Sequence, residues 1–177
     1  MDILPILIVV SLIAFLLIIW VIFGVRWLER SNYDIYGKWI LMKELLNKRY
    51  GLVSLLVWIV QKYKDDQGEL LEGLIDTKEA AIGIKDLTED KIRLELELSK
   101  LINNAIFLGM VVKDLINDGY FLEIKTDIDN LEEEIEKIEN EYNVFVDRYN
   151  RDLKSFIYLP IKFIFRYREA INFDFES

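Results

Sequence analysis

Residues 124–149 read IKTDIDNLEEEIEKIENEYNVFVDRY, and the spacing of their apolar members decides the fold class. Ile124, Ile128, Leu131, Ile135, Ile138, Tyr142, Phe145 and Tyr149 step four, three, four, three without interruption. That is the seam of an amphipathic helix with a period near 3.5 residues. Asp127, Asp129, Glu132, Glu133, Glu134, Glu136, Glu139 and Glu141 lie between the seam positions and read as a solvated face.

Three more stripes follow the same rule. Leu94, Leu98, Leu101, Ala105, Leu108, Val112 and Leu115 form one, widened by Ile102, Ile106, Val111 and Ile116. Another runs Ile35, Trp39, Met42, Leu46, Arg49, Val53, Leu56, Val60 and Tyr63, and a short one Leu70, Leu74, Thr77, Ala81 and Ile84. Asp65-Asp66-Gln67-Gly68 and Ile82 to Asp86 read as turns. Thr88 reads as a capping residue, and Asn117-Asp118-Gly119 as a turn whose glycine takes a left-handed C-cap. Helices are predicted over 26–64, 68–83, 88–116 and 120–154. Short connections make neighbours antiparallel, so the prediction is an all-α fold: an up-down-up-down four-helix bundle. The second helix, about 24 Å against about 44–59 Å for the others, is too short to cover its companions. Part of the seam is then left for another subunit or a partner. A break near Ser31-Asn32, making the start of the first helix a stalk, is the preferred variant.

Ahead of the bundle, Ile3 to Val25 is an uncharged run of 23 residues, 18 of them Leu, Ile, Val or Phe. At about 1.5 Å per residue it reaches roughly 34 Å, enough for a hydrocarbon core of about 30 Å. Insertion gains on the order of 5–11 kcal/mol. Asp2 in place of a basic leader, and the lack of a small-x-small site before Arg26, argue against a cleaved signal. Arg26, Arg30, Lys38, Lys43, Lys48 and Arg49 all follow the run, which predicts N-terminus out and the bundle in the cytoplasm. Trp20 and Trp27 suit the interfacial belt at the inner boundary.

The 177-residue chain contains no histidine and no cysteine. A His general base, a Cys nucleophile, a Cys/His zinc site and a disulfide framework are all excluded. Beyond residue 25 lie all 22 Lys and Arg and 30 of the 31 acids, a net of −8. Such a domain is a poor nucleic-acid binder. There is no glycine-rich phosphate loop. No cofactor, metal or small-molecule substrate is expected.

Within the segment 155–177, the run from Ser155 to Glu169 is the one basic stretch of the acidic domain, with Phe156, Tyr158, Phe163, Phe165 and Tyr167 among Lys162, Arg166 and Arg168. Because the last helix of the bundle returns toward the membrane, Phe163, Phe165, Arg166 and Arg168 are candidates for the headgroup layer. The competing reading folds these aromatics onto the bundle end as a cap. Lys162 near its middle argues against a second span.

Two features stand out within the bundle. Arg49 occupies a seam position, so either it is buried and paired, fixing register or partner choice, or the helix turns it to water. Tyr142-Asn143 and Tyr149-Asn150 repeat at seven residues, putting both tyrosines on the seam and both asparagines one position round. The tyrosines then serve as core residues, while the asparagines are candidates for hydrogen bonds between helices or subunits. The acids at 132–136 point around the helix rather than converge, and the seams contain no inward acid on which an enzyme could be built.

These residues resemble the LemA family of membrane-anchored bacterial proteins. The likeness covers Lys48-Arg49-Tyr50-Gly51-Leu52-Val53, then Phe121-Leu122-Glu123 through Glu134-Ile135 to Tyr142-Asn143, Tyr149-Asn150 and Ser155-Phe156. Departures lie before Phe121, where Asn117-Asp118-Gly119-Tyr120 replaces a Tyr-Pro and Ala-Asn-Glu stretch, and after Phe156, where the family proline is missing. Phe165-Arg166 stands in for a late Gly-Phe pair. The resemblance implies a helical bundle on a single anchor, without accepted enzymatic activity. The sequence thus describes an anchor at 1–25, a bundle at 26–154 and a membrane-proximal segment at 155–177. The expected role is non-enzymatic scaffolding or partner recruitment at the inner membrane, as a homo-oligomer or with other membrane proteins. The alternative is an envelope-spanning coiled-coil element outside the cytoplasm.

Overall fold

The computed structural model describes residues 3–63 and 68–173. Its helices are α1 (Ile3–Tyr63), α2 (Gly68–Gly83), α3 (Glu89–Val111), α4 (Lys113–Ile116), α5 (Gly119–Lys154) and α6 (Leu159–Phe165). The described residues contain no strand. The predicted turn at Asp65-Asp66-Gln67 lies outside the described residues. The predicted break at Ser31-Asn32 does not occur: both residues are helical within α1. Neither residue is a helix breaker on the scale of glycine or proline, and the fully buried Leu28 and the buried Ile35 pack on either side of them.

The chain divides into two compact units, Met1–Gly37 with Val144–Ala170, and Lys38–Asn143 with Ile171–Ser177. In the second unit the contacts establish the bundle pairwise. Rising positions on α1 meet falling ones on α5: Lys38 pairs with Glu141, Arg49 with Glu132, and Tyr63 with Asp118. These helices are therefore antiparallel. By the same logic α2 and α3 are antiparallel, since a Cβ at Gly73 would touch Leu101 while the Ala81 carbonyl accepts from Lys91. Lys78 of α2 reaches Ser54 of α1. The core between them is made of Met42, Leu46, Val53, Leu56, Leu74, Leu98, Ile102, Ile124, Ile128 and Ile135, all at most a few per cent exposed.

Three local readings are corrected. The helix predicted over 88–116 ends at Val111, and Val112 takes an extended conformation before the single turn of α4. The β-branched pair Val111-Val112 is a weak place in a helix. The step lets Leu115 become fully buried. Thr88 caps α3 as expected, its hydroxyl accepting from the Lys91 amide at 3.2 Å. Gly119, however, is not a left-handed cap, since no glycine among the described residues has positive φ. Asp118 instead starts α5, its carboxylate accepting from the amides of Tyr120 (2.8 Å) and Phe121 (3.4 Å). Its pKa is lowered, first by the Tyr63 hydroxyl and then by the Tyr120 amide.

The α5 seam also differs. Buried positions run Phe121, Ile124, Ile128, Leu131, Ile135, Glu139, Tyr142, Val146, Tyr149 and Leu153, while Ile138 and Phe145 are half-buried. Two consecutive steps of four, at 131–135–139, bring the mean step to about 3.6 residues. A strict 3.5 seam drifts around a straight helix, and α5 follows the straight-helix period.

Gly109 of α3 leaves room for Phe121 of α5. A Cβ there would overlap the ring of Phe121, which is fully buried. Gly51 of α1 has nothing within 4 Å of such a Cβ. Gly109→Ala is therefore expected to lower unfolding free energy by about 1–3 kcal/mol through overpacking. Gly51→Ala should raise it by about 0.5–1 kcal/mol through helix propensity. Denaturant melts of the two variants read the opposite signs.

Candidate functional site

Arg49 projects from α1 into the core of the second unit with no solvent exposure. Of the two readings of this residue, the structure has the buried one. Its guanidinium pairs with Glu95 of α3, itself fully buried, and with the half-buried Glu132 of α5 at 3.2 Å. It also donates to the Ser99 hydroxyl at 2.8 Å. Lys91, one turn before Glu95 on α3, pairs with it at 2.7 Å. The Lys91 ammonium further donates to the Tyr50 hydroxyl (2.6 Å) and the Ala81 carbonyl (2.5 Å). Tyr50 in turn donates to the other Glu95 oxygen bonded by Lys91.

Two cations thus face two carboxylates, and the cluster is neutral overall. It draws in α1, the end of α2, α3 and α5. Burial, and then the adjacent Glu95 carboxylate, push the Tyr50 hydroxyl far above the usual phenol range. Tyr50 is therefore a fixed donor at ordinary pH. A guanidinium taken out of water is stable only when its partners are in place, so the network demands a defined arrangement of the four helices.

Sequence reasoning missed Lys91, Glu95, Ser99 and Tyr50. It also held that no acid faces inward, yet Glu95 and Glu139 are both buried. The signal was available in the series Lys91, Glu95, Leu98, Ile102, Ala105 and Gly109, whose four-three-four steps put the first two on the buried stripe. The α3 stripe is turned accordingly: Leu94, Leu101, Leu108 and Val112 are half-buried and Val111 is exposed. Glu132, expected in water, is held by Arg49, while Glu133, Glu134 and Glu136 are exposed as expected. A groove of about 740 Å³ beside the cluster is lined by Ser99, Asn103, Ile128, Glu132 and Glu136. No group of three metal-ligating side chains occurs among the described residues.

The paired Tyr-Asn motif has a specific geometry. In the second unit, Asn143 donates to the Phe173 carbonyl and accepts from the Phe173 amide at 2.8 Å. Tyr142 donates to the Ile171 carbonyl at 3.0 Å, and burial pushes its hydroxyl up to about 12. Phe173 itself is fully buried and lies 6.3 Å from the Trp39 ring, centre to centre. In the first unit, Asn150 treats Ala170 in the same way, donating at 2.8 Å and accepting at 2.9 Å. Buried Tyr149 lies one position before it. These hydrogen bonds lie within the chain, between α5 and the returning tail.

The remaining candidates lie in the first unit. Trp20 is half-buried, and Trp27 donates from its indole to Asp152 at 2.9 Å. The Arg148 guanidinium sits 5.0 Å over the Trp27 ring. Phe163, Phe165, Arg166 and Arg168 are exposed. From α1, one helix among the described residues is long and apolar enough to cross a membrane.

A long apolar helix leading into an all-α bundle with a buried cluster of paired charges defines the class of this protein. The LemA family model matches residues 38–177, and the chain belongs to the LemA family. No curated protein matches it.

The asparagine pairs make a direct prediction. Each Asn→Ala change removes two hydrogen bonds worth about 0.5–1.5 kcal/mol apiece. Asn150→Ala should speed hydrogen exchange at the Ala170 amide by about five- to a hundredfold, and Asn143→Ala should do so at Phe173. Unchanged protection would show that the tail is held by something else.

Proposed function

We propose that this LemA-family protein is a non-enzymatic, single-pass scaffold of the inner membrane. The apolar part of α1 anchors it, and the bundle is presented to partners in the cytoplasm. The observation that carries this reading is the pairing of the buried charges. Arg49, Lys91, Glu95 and Tyr50 are engaged with one another, which favours a rigid element over a reaction centre that must bind and release a substrate. The exposed residues Ile3 to Ile18 support the anchor, since an uncharged helix with every side bare suits lipid. The positive charges after residue 25 support the cytoplasmic placement. Trp58, Phe107 and Val111 of the second unit are large, apolar and more than half exposed, which supports contacts with another copy or another membrane protein.

The absence of cysteine makes topology simple to measure. Asp2→Cys and Gly68→Cys, in separate full-length proteins, are treated with a membrane-impermeant maleimide in intact and then lysed cells. Labelling at 2 in intact cells, with labelling at 68 only after lysis, is expected. The reverse pattern would place the bundle outside the cytoplasm and favour an envelope element.

A further inference from the structure

The geometry points to the reversal at residues 156–166 as a second membrane contact, an in-plane anchor whose phenylalanine face enters the lipid interface beside the end of the apolar run of α1, at Gly24. This rests on the reading of Ile3–Val25 as a span. Ile161 of α6 is fully buried, and a Cβ at Gly24 would overlap its terminal methyl. The same Cβ would lie 3.6 Å from the Tyr158 ring. Gly24 is the penultimate residue of the uncharged run. Within the first unit, α6 is therefore packed at the level where the apolar segment ends. Glycine is what allows that close approach.

The reversal turns an apolar face outward. Ile161 is spent on packing against α1, but Phe156 is 90% exposed, Phe163 73% and Ile164 68%. A cap folded onto the bundle end would bury these groups. Bare in water, they are an unexplained cost of roughly 25 cal/mol per Å² of apolar surface. Placed in the boundary layer beside a span, they are covered by lipid.

The turn is fixed at its start by Ser155, whose carbonyl accepts from the Tyr158 and Leu159 amides. At its end Arg166, with φ of 56°, reverses the chain toward the Ala170–Asn150 pair. The phenylalanines are thus held outward. Arg166 and Arg168 are exposed cations suited to lipid phosphates, while Lys162 is engaged by Glu169 at 3.1 Å.

The test uses the full-length chain in vesicles of phosphatidylcholine and phosphatidylglycerol. Nitroxides are attached at Phe163→Cys and Ile164→Cys, with Leu12→Cys as the span control and Glu136→Cys as the aqueous control. Collision with oxygen and with a water-soluble nickel chelate is then measured. The labels at 163 and 164 should show an oxygen-to-chelate ratio several-fold above that at 136. A ratio equal to that at 136, or protection from both reagents, overturns the inference. If Leu12→Cys also reads as aqueous, the span itself is refuted and the inference falls with it.

Discussion

A guanidinium that water cannot reach must find its counter-charge within the protein, and Arg49 imposes that condition on every helix around it. Glu95 is equally dry, so neither residue tolerates loss of the other. The rest of the second unit follows from this pair. Lys91 and Tyr50 complete the hydrogen bonds of Glu95, and Lys91 ties the end of α2 through Ala81. Glu132 and Ser99 take the other nitrogen of Arg49. Apolar stripes alone would allow neighbouring helices to slide by a turn at modest cost. A buried ion pair would be broken by the same slip, and it therefore specifies register.

Much of this was legible in the chain, because periodicity reports helices directly. The stripes predicted the extents of α2 and α5 closely, while α1 runs unbroken through the expected break at Ser31-Asn32; the Thr88 cap was readable from its residue type, and the antiparallel order from short connections. What could not be read was the facing of one helix against another. A stripe gives the apolar centre of a helix, and α3 is turned so that Lys91 and Glu95 come inside it. The Val112 step escaped for a similar reason, since it depends on Leu115 finding the core and on the contact of Phe121 with Gly109. Asn117-Asp118-Gly119 marked a boundary correctly, but Asp118 rather than Gly119 supplies the cap.

The Tyr-Asn repeat shows the same division. Its period of seven identified two equivalent positions on one helix, and the structure gives them equivalent work on the returning tail. Nothing in the sequence revealed that the partner was the tail's own backbone, because backbone amides carry no sequence signature. The segment around α6 is a different case: its composition suggested the membrane boundary, and the structure packs it against Gly24, near the end of the apolar run. The apolar segment, the turn and the tail of the first unit are thus joined by ordinary packing and amide pairing.

The central claim is that Arg49 and Glu95 act as one unit. A double-mutant cycle on the full-length protein in detergent micelles, with Arg49→Met and Glu95→Leu, tests it most directly. Each single change should cost about 3–5 kcal/mol, because it strands a buried charge. The double change should cost far less than the two together, leaving a coupling of about 2 kcal/mol or more. Additive losses would contradict the account and show that the bundle keeps its register without the pair.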